Sequence, residues 1–361
     1  MRRLPLGRLV AGPFPAPQRI FYTNIWFRGH NNPRYAELLP RLERLDPYLL
    51  VCSDRRIVRG LQYRALRATR HVRDPLLFAA ASRRYRWMFT TDNEQIRHFK
   101  GPVVSDVDDP RYTEREVELL NRPNLAAYVV TAERAARRFE ELGVRKPWHV
   151  IPQGVSLRSL SERDAKEVAQ RWRSDGKLVV GYMAAWLLTS EDRDGDNPLY
   201  NVDHLLELWD EIHTRAPTAQ LWLIGGPSER VRRRCESRND IVIFGRLPRD
   251  RVLSHVANFD IALYPRTKDQ GIQAAKVAEY MGLGIPTVSY DFKVTEVLRE
   301  TGAGILVPGR REFVEAVVRL ATDEAERGKV AAAARRAGAK LDWDVLAERY
   351  EREILDRYLR P

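Results

Sequence analysis

The sequence predicts an α/β protein built from two doubly wound parallel-sheet domains in tandem. Three observations point there. Short apolar runs alternate with helix-patterned segments, which is the signature of repeated strand–helix units. That alternation runs to about residue 155, passes through a helical link and starts again. And 361 residues are too many for one ordinary core but suit two of typical size.

In the first half, RIFYTNIWF (19–27) is rich in β-branched and aromatic residues and reads as the first strand. A polar turn, RGHNNP, leads to RYAELLPRLERL, whose apolar spacing is helical. YLLVCS (48–53), YRWMFTT (85–91) and PVVSDV (102–107) are compact apolar runs of the kind found in strands buried on both faces. LAAYVVTAERAARRFEELGV (125–144) reads as a strand, an N-cap at Thr131, an amphipathic helix and a terminal glycine. WHVIPQGV (148–155) closes the half.

A helical link over 161–174 precedes the second half. LVVGYMAAW (178–186) reads as a strand, LLTSEDRDGDNPLYN as a long polar loop, and VDHLLELWDEIHTRA (202–216) as a helix. QLWLIGG (220–226) and IVIFGRL (241–247) are strands, and RDRVLSHVANF, IALYP, IQAAKVAEYMGLG, PTVSYDF and GILV continue the alternation. Segments 311–339 and 342–358 read as helices. The expected division is a basic N-terminal domain over 1–155, a C-terminal domain over 156–340, and a last helix over 341–361 that packs back on the first.

Composition narrows the class. A hydrophobic content of 44% with 30% charged residues excludes a disordered chain. No run approaches the roughly 18–20 apolar residues needed to cross a bilayer. The basic start MRRLPLGRLVAGPFPAP is broken by Gly and Pro, so it reads as an extended leader and not an export signal. Cys52 and Cys235 are far apart and form no CxxC pair, which argues for a reducing, cytoplasmic setting and against a structural zinc. The net charge of +12 is carried by the first third, since residues 1–100 hold 20 Lys and Arg against 7 Asp and Glu. Such asymmetry suits a phosphorylated ligand or an anionic membrane surface, at the inner face. The alternative is a solvated surface from an arginine-rich composition. No nucleic-acid-binding motif accompanies the charge, and no strand leads into G-x-G-x-x-G.

In open α/β sheets, ligands bind beyond the carboxyl ends of strands, where helix N-termini favour phosphate. IALYP, RTKDQGIQAA (266–275) and the following helix fit that scheme. Arg266, Lys268 and Lys276 would neutralise a diphosphate, Gly271 would let backbone amides approach, and Glu279 would accept hydrogen bonds from two vicinal hydroxyls of a ribose. Lys276 and Glu279, three apart on a helix, share one face. The alternative for this pair is a surface ion pair worth under about 1 kcal/mol.

K-x-x-E-Y-M-x-x-G-x-P-T-V-S, from Lys276 to Ser289, resembles the donor-site signature of retaining glycosyltransferases of the GT-B fold, in the group-1 (family four) class. VIPQGV (150–155), GYMAAW (181–186), LWLIGG (221–226) and ETGAGILV (300–307) resemble that family in order and spacing, over roughly residues 124–340. The resemblance implies two Rossmann-like domains facing a cleft, with a C-terminal helix crossing back. It also implies a metal-independent hexosyltransferase that needs no cofactor, moving sugar from a nucleoside-diphosphate sugar to a hydroxyl in polysaccharide or glycoconjugate biosynthesis. By that resemblance Glu279 binds the donor ribose, Lys276 matches a lysine of some relatives, and Gly225 and Gly226 match the turn beside the nucleotide. Asp108 and Asp109 fall where many relatives carry a His–Asp pair facing the sugar. Asp92 ends another strand toward the same cleft, and His30 follows the first strand, for acceptor or donor phosphate. The catalytic assignments are Asp108, Lys276 and Arg266, and the acceptor would be glycan, lipid-linked, phosphorylated or small.

The sequence departs from the family in two places. Where relatives carry a first glutamate eight before Glu279, this chain has Gly271, with Asp269 the nearest stand-in. Where relatives carry an arginine and then a lysine, it has Trp186 and then Tyr200-Asn201. Two other readings therefore stand beside the transferase: a catalytically silent nucleotide-sugar-binding module, and a sugar-nucleotide 2-epimerase on the same fold.

Overall fold

The structure is a computed structural model, and it describes residues 19–22, 33–47, 70–173, 176–193, 201–267, 274–292 and 295–359. The chain divides into two compact units, one formed by Met1–Pro152 with Asp344–Pro361, the other by Gln153–Trp343.

The first unit begins with β1 (Ile20–Tyr22), α1 (Pro33–Leu38) and β2 (Leu45–Pro47), followed by α2 (Arg70–Arg84), β3 (Trp87–Thr90) and β4 (Val103–Val107). It continues through α3 (Glu114–Leu120), β5 (Leu125–Val130), α4 (Glu133–Glu141) and β6 (Trp148–Val150). Its sheet runs β2-β1-β3-β4-β5-β6 with every pairing parallel. Phe21, Phe78, Met88, Val103, Tyr128 and Phe139 are at the centre of one core cluster. Two expectations are corrected here. The helix expected over 34–45 is cut short, because Pro40 has no N–H to continue the ladder. A 3-10 turn over Leu39–Arg41 follows, and the chain is already a strand at Leu45. The N-cap of α4 is Ala132 and not Thr131, which is buried, and no side chain caps this helix. Run 48–53 lies outside the described residues.

The second unit holds α5 (Glu162–Trp172), β7 (Leu178–Leu187), α6 (Asp203–Arg215), β8 (Ala219–Pro227), α7 (Glu229–Cys235), β9 (Ile241–Gly245), α8 (Arg249–Val256) and β10 (Ile261–Tyr264). It ends with α9 (Ala275–Gly282), β11 (Thr287–Tyr290), α10 (Glu296–Thr301), β12 (Gly304–Val307), α11 (Arg310–Thr322) and α12 (Glu324–Gly338). The all-parallel order is β12-β11-β10-β7-β8-β9. Successive residues of a strand face opposite sides, and both sides are covered. Val180, Leu221 and Leu223 pack with Trp209 and Phe313, whereas Val179, Trp222 and Ile224 pack with Tyr280 and Ile285. That double burial is why the strands read as unbroken apolar runs. The helix expected over 311–339 is two helices, because Asp323 leaves helical geometry and accepts a hydrogen bond from Glu326 N–H to cap the second. Helix α13 (Trp343–Tyr350), which from Asp344 belongs to the first unit, passes into a π turn over Glu351–Leu355 and a short helical turn over Asp356–Tyr358.

Helix α9 is held by close backbone approach. A Cβ on Gly338 would lie 2.3 Å from Met281 O, and one on Gly282 would lie 2.3 Å from Val155 Cγ1. Alanine favours a helix over glycine by about 1 kcal/mol, yet the collision with a carbonyl oxygen must move a helix, at about 1–3 kcal/mol. Gly338→Ala is therefore expected to destabilise the protein. Chemical denaturation monitored by circular dichroism checks this through a lowered midpoint.

Candidate active site

In the second sheet the strand order reverses between β7 and β10, and it is beyond the carboxyl ends at such a switch point that doubly wound folds take ligands. Strand β7 is irregular at that end. Its pairing with β8 slips between Met183 and Trp186, which leaves one extra residue on β7. Helix α9 comes from the far side of the switch point and grips Met183 twice: Lys276 Nζ donates to Met183 O at 2.5 Å, and Met183 N–H donates to Tyr280 Oη at 3.1 Å.

Lys276 is half-buried as a residue, but its ammonium lies 4.4 Å from the centre of the Tyr182 ring and 6.0 Å from that of Tyr264. The Arg266 guanidinium lies 4.8 Å over Tyr264, and Arg266 is 8% exposed. Burial, and then the positive charge of Arg266, pull the Lys276 amine down to about 7, with Glu279 acting in the opposite sense. An ammonium buried in this way is favoured by added negative charge. Ala274, at the cap position of α9, supplies no side-chain hydrogen bond to the helix amides. Glu279 is 4% exposed and meets Arg249 Nη2 at 2.9 Å, whose side chain is 46% exposed. The cluster therefore joins two cations and a buried carboxylate at the mouth of the switch point.

Gly225 and Gly226 end β8 beneath the bulged tip of β7. A Cβ on Gly225 would fall 2.6 Å from Ala184 O, and one on Gly226 would fall 2.8 Å from the Trp186 ring. Their glycine character serves this crossing. Trp186 pairs with Gly226, stays 45% exposed, and has the Arg246 guanidinium 5.3 Å from its ring centre. Lys268, Asp269 and Gly271, like His30, lie outside the described residues.

In the first unit, Asp92 caps the 3-10 turn Asn93–His98 by accepting from Glu94 N–H at 3.0 Å. Asp108 is half-buried and Asp109 exposed, just past the end of β4. The residue that organises this strand end is one the sequence analysis did not select. Asp106 is fully buried against Arg34, with Arg34 Nη2 donating to Oδ2 at 2.8 Å and Arg34 Nε to Oδ1 at 3.0 Å. Tyr35 and Tyr350 donate to the same carboxylate at 3.2 and 3.0 Å. An aspartate inside a continuously buried strand was the available signal, since a buried charge requires a partner. Asp108 adds to the negative field around Arg34.

Among the described residues no group of three or more His, Cys, Asp or Glu side chains is placed to hold a metal ion, and no helix is long and apolar enough to cross a membrane.

Comparison with known proteins bears out the resemblance. Residues 195–323 match the family described as glycosyl transferases group 1. No curated protein matches the chain in sequence. Among solved structures, the chain is similar to Anabaena Alr3699/HepE in complex with UDP and glucose, at 14% identity and a TM-score of 0.65, over 93% of this chain and 99% of that one. It is similar to a UDP-forming trehalose-phosphate synthase from Burkholderia xenovorans at 12% identity and a TM-score of 0.64, over 93% and 98%. A third is sucrose-phosphate synthase from Thermosynechococcus elongatus, at 15% identity and a TM-score of 0.60, over 87% and 82%. The fold is GT-B, with two parallel-sheet α/β units and a C-terminal segment that belongs to the first.

Proposed function

Starting from the group-1 glycosyltransferase match over residues 195–323, we propose that the chain is a retaining glycosyltransferase that moves a hexosyl group from a UDP-sugar to an acceptor hydroxyl. The observation that carries this reading is Lys276 reaching across the β7/β10 switch point, with Arg266 and Glu279 gathered beside it. Two cations and the start of α9 would neutralise a diphosphate leaving group, and Glu279 would take the ribose hydroxyls. The uridine base is supported by similarity to HepE, whose structure holds UDP-glucose. In a retaining reaction at one face of the sugar, the departing diphosphate accepts the acceptor's proton while the anomeric carbon carries the positive charge. The protein's part is placement and fixed charge. Neutralisation is assigned to Lys276 and Arg266, with no metal. The acceptor side is assigned to Asp108 in the first unit.

Glu279→Ala tests the donor half of this proposal. The expected result is a loss of UDP affinity of roughly tenfold to a hundredfold, as for hydrogen bonds to a charged group. Arg249 is largely solvated, so its loss of a partner costs little folding stability. Thermal shift against UDP, GDP, ADP and dTDP, followed by calorimetry with the best of them, gives the measurement. Unchanged affinity in the variant removes the ribose assignment.

A further inference from the structure

We infer that Trp186 and Arg246 together form the stacking platform for the base of the donor nucleotide. This rests on the donor reading above and assigns a part of the site that reading leaves open. Three features of the pair support it.

The first is exposure. Few large hydrophobic side chains of the described chain are exposed, and Trp186 is the one set at the carboxyl end of the strand beside the switch point. Its flat placement follows from Gly226, where any Cβ would strike the ring.

The second is the state of Arg246. In this unit Arg230, Arg234, Arg238 and Arg310 are each bound to carboxylates. Arg246 is exposed, and among the described residues it forms no ion pair; it lies instead over the indole. A guanidinium stacked on an indole presents a broad planar surface with fixed positive charge, which suits an electron-rich planar base and not a sugar hydroxyl array.

The third is order along the site. Lys276 and Arg266 meet the diphosphate, Glu279 stands one turn further along α9, and Glu279 is bound to Arg249 at the start of α8. Arg246 comes three residues before Arg249. With Arg246 placed by that proximity in sequence, the groups follow the order of the nucleotide itself: phosphate, ribose, base.

The test compares UDP with ribose 5-diphosphate, which has the same phosphates and sugar but no base, by calorimetry on the intact protein. Trp186→Ala is expected to weaken UDP by roughly tenfold to a hundredfold, the range for base stacking on an aromatic side chain. It should leave ribose 5-diphosphate unchanged, and Trp186→Phe should restore most of the UDP affinity. Equal weakening of both ligands, or unchanged UDP affinity in Trp186→Ala, overturns the platform while leaving the donor site intact. A wild-type protein that binds neither ligand overturns the donor reading and the platform together. The side chain is nearly half exposed, so the alanine variant is expected to fold, and its circular dichroism spectrum confirms that before titration.

Discussion

Lys276→Met is expected to lower sugar transfer from a UDP-sugar by about a hundredfold or more while leaving the folded protein as stable as before, or more stable. The two halves of that result come from one cause. The Lys276 ammonium is held among Tyr182, Tyr264 and Arg266, with its amine drawn down to about 7 from 10.5. Because the folded value is depressed, the protonated form is destabilised by folding. The free protein therefore gains stability as pH rises from about 7 toward 10.5, and a methionine that carries no charge removes that burden. A bound diphosphate reverses the balance, since it offers the negative charge that burial denies the lysine. Losing one preorganised cation at a developing negative charge has the magnitude of losing an oxyanion-hole donor, about 10²–10³ in rate. The pH dependence is the sharper check. Donor binding must load a proton onto Lys276 above about 7, so wild-type affinity for a UDP-sugar should fall as pH rises from about 6.5 to 8.5, approaching tenfold per unit. The methionine variant should show a flat profile. A lower melting temperature with donor binding retained would make Lys276 a structural residue only.

The second unit was legible because its strands are buried on both faces and its glycines and prolines stand at real boundaries. Lys276, Arg266 and Glu279 could be placed together from one motif, because they sit on a single helix and the loop before it. What the sequence did not disclose is tertiary. Nothing in LVVGYMAAW marks the slipped register that offers Met183 O to a lysine about ninety positions away. The helices at Arg70–Arg84, Glu114–Leu120, Glu229–Cys235 and Glu296–Thr301 have no counterpart among the sequence expectations. Two of them carry a local sign, since Thr113 and Ser228 each accept from an amide three residues on. The first has Pro75 inside an arginine-rich segment, and packing overrides that weak propensity. In the first unit the apolar runs were visible, but the buried Arg34–Asp106 pair was not, because its partners are 72 and 244 positions apart.

That pair gives the second large effect. Asp106→Ala is expected to destabilise the first unit by about 3–5 kcal/mol, the cost of leaving a buried charge without its partner. Arg34 is fully buried and Asp106 is its bidentate carboxylate partner; the bond from Nη1 to Pro152 O at 2.9 Å satisfies a donor without neutralising charge. The same carboxylate holds Tyr350 at the end of α13, so one substitution frees both the end of β4 and the C-terminal segment. Burial, and then the charge of Asp106, keep the Tyr35 and Tyr350 phenols well above the ordinary tyrosine value, so both remain donors across the physiological range. Limited proteolysis should therefore cut the variant after Trp343 under conditions that leave the wild type whole. The double replacement Arg34→Met with Asp106→Leu separates charge from packing. Removing both partners leaves no uncompensated charge, so it should recover most of the lost stability. If the double variant is as unstable as Asp106→Ala, the energy lies in the two tyrosine hydrogen bonds and the latch is neutral in character. Activity decides what the latch is for. Asp108 follows Asp106 by two residues and shares the field of Arg34. A double variant that folds yet transfers sugar slowly would assign the pair to positioning Asp108, the residue proposed for the acceptor side.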